Sequence, residues 1–146
     1  MTAPDFRVEI PGVPRGAGRP RSRIVTSRSG RPISVHYTDS KTRIEQDVIR
    51  LAAQQVMGTR APFDCPLEVK IVAYVPIPNS WGLKKKSQAL ANIILPTSKP
   101  DGDNILKFVD PMKQIVFTDD SRISDWHIWK RFSDRPRVVI EFRCLR

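Results

Sequence analysis

Apolar and polar residues alternate in "FRVEIPGVP" (Phe6 to Pro14), which predicts a short strand closed by a proline-bounded turn. From Thr38 to Gly58 the period changes. Ile44, Val48, Leu51 and Val56 recur at helical spacing, Asp39 and Ser40 are capping candidates, and Gly58 is a stop signal, so this stretch predicts a long helix. Its apolar stripe is expected to face the core or a second copy of the chain. "LEVKIVAYVPIP" (Leu67 to Pro78) alternates like a strand until its prolines end it.

Helix-compatible residues fill Asn79 to Pro96, including the triplet Lys84, Lys85 and Lys86, which reads as a solvated face or a phosphate-steering patch. Asp103 to Gln114 looks helical until Pro111, which lacks an N–H and clashes with the preceding turn. Ile115 to Asp120 reads as a short strand. Arg122 to Phe132 and Arg137 to Leu145 read as a hairpin turning through "SDRP". The order of strand, long helix, strand, helices and strands predicts one α+β domain over residues 1–146, with a mixed sheet, a long helix and a short helix.

Composition narrows the class. With 40% hydrophobic and 27% charged residues the chain is globular, and no apolar run approaches the roughly 20 residues that cross a bilayer. No secretory signal pattern opens the sequence, so a cytoplasmic protein is expected. Cys65 and Cys144 have neither CxxC spacing nor a nearby histidine, and reduced thiols are expected of them. No Gly-rich phosphate loop implies a nucleotide cofactor.

Charge changes the picture more. The chain carries a net +10, which suits a polyanionic partner. Six arginines lie between Arg15 and Pro32 on a backbone rich in glycine, proline and small residues, a loop or hairpin suited to phosphate contacts. Arg15, Arg19, Arg21 and Arg23 are candidates there, with Lys99 and Lys130 elsewhere.

Against that background, residues 101–125 hold six aspartates and three cations, a local net of −3. Packed carboxylates raise one another's pKa unless a cation or hydrogen bonds hold them ionised. Asp101 or Asp103 could cap a helix beginning near Asn104. An EF-hand is excluded, because Gly102 is second rather than sixth in the run and Met112 stands at the twelfth position. Alternatively, carboxylates from "DGD" (Asp101 to Asp103) and "TDD" (Thr118 to Asp120) could share Mg²⁺, or Mn²⁺ in its place. Lys107 follows Asp103 by four residues and so shares its helix face, either as an ordinary ion pair or as a donor to a phosphate.

"KPDGDNILK" (Lys99 to Lys107), "VFTDDSRI" (Val116 to Ile123) and "WHIWKRF" (Trp126 to Phe132), with the early "IPGVPRGAGRPR" and "YTDSK", resemble the RusA family of Holliday-junction resolvases, common in phages and prophages. The resemblance spans nearly the whole chain. It implies a small α+β homodimer that nicks opposed strands of four-way DNA junctions, with a Mg²⁺-dependent site in each subunit. By position, Asp101, Asp103 and Asp120 match the family's catalytic, metal-binding aspartates, Lys107 its assisting lysine and Asp119 a supporting residue. One position departs: Asp110 follows Lys107 by three residues where the family has four, and one residue is about 100° of helix. The other class open to this sequence is a DNA-binding module without catalysis, its aspartates serving only to cap and solubilise.

Overall fold

The computed structural model describes residues 3–15, 21–37 and 40–146. At its centre β4 (Leu67–Pro76) buries Leu67, Val69, Ile71, Ala73 and Val75 on one face, while Glu68, Lys70, Val72 and Tyr74 are only half-buried on the other. That is the period-2 burial its sequence predicts. β1 (Phe6–Pro11) and β6 (Arg137–Cys144) add Phe6, Val8 and Ile10, and Val138, Ile140 and Phe142, to the same core. The sheet order is β1-β6-β4-β5, with β5 (Ile123–Ser133) parallel to β4 and the other pairings antiparallel. The fold is therefore α+β with a mixed sheet.

The strands predicted near the C-terminus form, but they do not form a hairpin. β5 and β6 lie on opposite sides of β4, and residues 134–136 carry the chain from one side to the other. β4 competes better for both partners because its apolar face continues the core in each direction. Ile115 to Asp120 is likewise not a strand. Phe117 makes isolated bridges with Phe63 and Lys113, and Gln114 takes a positive φ of 66° that breaks an extended run.

α1 (Ser40–Met57) ends as predicted, at Gly58, whose φ of +58° places it in the left-handed region that glycine tolerates. The capping candidate Asp39 lies outside the described residues. The helix presents Thr42, Ile49, Ala53 and Met57 to the sheet, not the expected stripe. Ile44 and Leu51 are 63% and 60% exposed, and Val48 and Val56 are exposed beside them. Of the two roles expected for that stripe, burial in the subunit core is excluded.

Two further segments connect β4 to β5. α2 (Leu83–Leu90) is shorter than the helix-compatible run and leaves Lys84 and Lys85 exposed, with the Lys85 ammonium 4.1 Å from the Trp81 ring centroid. α3 (Gly102–Leu106) carries the first acidic motif and stops before Lys107. A 3-10 turn over Asp110–Met112 follows, with Pro111 buried in it.

Cys65 and Cys144 are disulfide-bonded, with Cα atoms 5.9 Å apart, in place of the reduced thiols expected. Cys65 stands two residues before β4 and Cys144 ends β6, and the pairing of Leu67 with Cys144 brings the two close. Nothing local in the sequence reports a contact across 79 residues. No helix among the described residues is long and apolar enough to cross a membrane.

Candidate nuclease site

Asp101 stands at the N-cap of α3 in extended conformation, and its Oδ1 accepts a hydrogen bond from the Asn104 backbone N–H at 3.0 Å. Capping is thus a role it performs, and the helix starts two residues earlier than expected. Asp103, in the first turn, points its carboxylate into solvent and lies 3.8 Å from Lys107 Nζ. Ile105 is fully buried and anchors this short helix to the core. One cap and one buried side chain thus hold the backbone of "DGD" in place while leaving Asp103 outside.

The second acidic element is held differently. Asp119 caps a 3-10 turn over Asp120–Arg122 by accepting from the Ser121 N–H, and it pairs with Lys113 at 2.8 Å. Lys113 and Ser121 together hold the Asp119 carboxyl far below the usual carboxylate range. Asp120 is exposed and beside it. Behind them, Asp64 accepts from Thr118 Oγ1 at 2.7 Å and pairs with Arg122 at 2.9 Å, and backbone bonds join Phe63 to Val116 and Thr118. The Thr118 hydrogen bond and then the Arg122 charge lower the Asp64 pKa. Asp64, Lys113 and Ser121 went unsuspected in the sequence: Asp64 stands 54 residues before Thr118 and belongs to no local motif.

Asp110 opens the 3-10 turn that lies between the two elements in sequence. Its carboxyl is pushed up, first by desolvation and then by the negative charge of Asp120, against the pull of Lys107 and Lys113. Two carboxylates repelling each other beside two lysines form an arrangement that a bound cation would relieve. A raised carboxyl pKa costs stability above that pKa, and the cost vanishes once pH falls below the unfolded value of about 3.9. Asp110→Asn should therefore raise the melting temperature at pH 7, by at most a few degrees because water still screens a partly solvated group, with the gap closing near pH 3. Thermal unfolding at both pH values checks this.

The donors available suit a hard divalent ion, since all are carboxylate oxygens. Among the described residues, however, no three carboxylate, imidazole or thiol groups lie close enough to hold a metal as the side chains stand. Asp101, Asp103 and Asp120 are thus placed on two exposed, separately anchored elements and are not drawn into one ligating set.

The basic candidates are spread over several parts of the fold. Arg15 lines one small cleft with Asn104, Lys107, Phe108 and Pro111, while its guanidinium pairs with Glu45 of α1 at 2.7 Å. Lys130 donates to the Ser98 carbonyl, three residues before Asp101, and Lys99 is exposed next to it. Arg23 is exposed on a separate β-ribbon, 5.7 Å from the Tyr37 ring centroid. Arg19, and the side chain of Arg21, lie outside the described residues.

With the acidic pair, its lysine and the basic surround in place, the sequence itself matches the endodeoxyribonuclease RusA family over residues 11–143. The chain belongs to the RusA family. It is also 33% identical over 142 residues to an uncharacterized protein, YqaN, of Bacillus subtilis (strain 168), with 94% of this chain and 95% of that protein covered. As a RusA-family nuclease, the chain carries Asp101 and Asp103 at the start of α3, Lys107 just past its end, and Asp119 and Asp120 at the start of the 3-10 turn before β5.

The Asp64 strap predicts a positioning effect. Asp64→Ala should lower the cleavage rate about tenfold, the lower end for groups that orient metal ligands, while DNA affinity stays unchanged. Cleavage kinetics and a binding titration on the same protein read the two quantities separately.

Proposed function

We propose that this protein is a Mg²⁺-dependent endonuclease that resolves four-way DNA junctions as a homodimer. The reading is supported by the match to the endodeoxyribonuclease RusA family over residues 11–143, together with the exposed carboxylates of Asp103 and Asp120, each on its own anchored turn. Asp101, Asp103 and Asp120 would hold the ion, with Asp119 kept ionised and in place by Lys113 and Ser121. A bound Mg²⁺ supplies Lewis-acid polarisation of the phosphoryl oxygen and activates the attacking water. Lys107, free to leave Asp103 because that pair is long and exposed, donates to the scissile phosphate as charge develops. Arg15, Lys99 and Lys130 hold the flanking backbone, a sequence-independent contribution that leaves recognition to branch geometry.

Two-fold symmetry suits a substrate with two equivalent strands to cut. The exposed stripe of Ile44, Val48 and Leu51 on α1 supports a self-complementary interface, since it lies open in the single subunit.

A second reading, a DNA-binding module without catalysis, is supported by the structural employment of the aspartates: Asp101 caps, Asp103 pairs with Lys107, and Asp119 pairs with Lys113. A labelled four-way junction incubated with the protein in Mg²⁺ or in EDTA separates the two. The nuclease yields nicked duplexes in Mg²⁺ alone, whereas the module binds equally in both and leaves the junction intact.

A further inference from the structure

β2 (Arg21–Thr26) and β3 (Pro32–Tyr37) form a two-stranded antiparallel ribbon separate from the main sheet. Its turn is fully formed. Ser27 N–H donates to the Arg31 carbonyl at 2.8 Å, Gly30 N–H donates to the Ser27 carbonyl at 2.9 Å, and Arg31 N–H donates to Ser27 Oγ at 3.2 Å. Gly30, at φ +81°, supplies the left-handed residue such a turn requires.

The ribbon stands apart from the core. Its two strands pack mainly on each other, and Ile24, Ile33 and Tyr37 are 77%, 47% and 43% exposed. An isolated two-stranded hairpin is marginal in water, so one with exposed apolar side chains is a structure suited to a partner. Charge identifies that partner's class. Residues 21–37 contain four arginines and no acid, and among the described residues Arg23, Arg28 and Arg31 form no ion pair with a carboxylate.

We infer that this ribbon enters the major groove of a duplex DNA arm, with its tip arginines Arg28 and Arg31 on the flanking phosphates. Dimensions agree: six residues per strand span about 20 Å, and the groove, about 12 Å wide, admits a two-stranded ribbon. Ile33, on the face that Arg23 and Tyr37 share, then finds the apolar edge that thymine methyl groups present there. The inference rests on the reading of the protein as DNA-binding, but it concerns duplex arms and is independent of cleavage.

A plain duplex of about 30 base pairs, roughly three helical turns, is the probe. Dimethyl sulfate footprinting of the wild-type complex should show protection of guanine N7, which faces the major groove. Arg28→Ala/Arg31→Ala should weaken that protection and reduce the slope of log affinity against log salt by about 2, one for each phosphate no longer neutralised. Arg28→Lys/Arg31→Lys should keep the wild-type slope. Binding without N7 protection, or an alanine variant with unchanged slope and footprint, overturns the inference. So does a change of oligomeric state in the alanine variant with its DNA affinity intact, which would assign the ribbon to a second copy of the chain. Failure of the wild type to cut a four-way junction, with the duplex footprint present, defeats the proposed activity and leaves the ribbon's role standing.

Discussion

Asp103→Asn should abolish junction cutting, with a loss of at least about 10²-fold in rate, while binding the junction as tightly as the wild type. The loss is of the size seen when one preorganised electrostatic contact to the transition state is removed. Asp103 is the sharper test of the two motif aspartates because it has no structural duty beyond a 3.8 Å pair with Lys107, whereas Asp101 also caps α3. Binding survives because phosphate contacts come from arginine and lysine, and the substitution removes a negative charge that repels DNA. Gel-shift affinity and single-turnover cleavage on one junction check both halves. Equal cutting by the variant would remove Asp103 from the site.

Leu51→Glu on α1 should convert a dimer into monomers, raising the dimer dissociation constant at least about 100-fold, the effect of burying an unpaired charge at an interface centre. Ile44→Glu should do the same. Both side chains are exposed in the single subunit, so the variants keep the melting behaviour of an isolated domain, and stability separates an interface defect from misfolding. Light scattering over a concentration series reads the association directly. Unchanged dimers in both variants would place the interface elsewhere.

How far the sequence reached can be seen on α1. Its limits and its helical period were legible, but two apolar faces are written on it: Ile49, Ala53 and Met57 on one, Ile44, Val48 and Leu51 on the other. Periodicity registers both, and only packing against β1 and the turn around Pro111 decides which is buried. β4 was legible in full because its apolar residues alternate with the pleat from Leu67 to Val75. β5 and β6 were legible as strands and not as partners, since "SDRP" looks like a tight turn and strand pairing through β4 is a long-range event.

The site divides in the same way. "DGDNILK" shows its aspartates and lysine within one short run, and the structure places them on a capped helix as local rules require. The supports of the second pair were hidden, because Asp64, Lys113 and Arg122 act on it through contacts of tertiary origin. The disulfide between Cys65 and Cys144 belongs to the same class of information.

The central claim is that the two acidic elements share one divalent ion, and a crystal soaked in Mn²⁺ tests it most directly. The expected result is an anomalous peak ligated by Asp101 or Asp103 together with Asp120, and loss of that peak in Asp103→Asn. Mn²⁺ bound elsewhere in the wild type, with both acidic elements unligated, would contradict it.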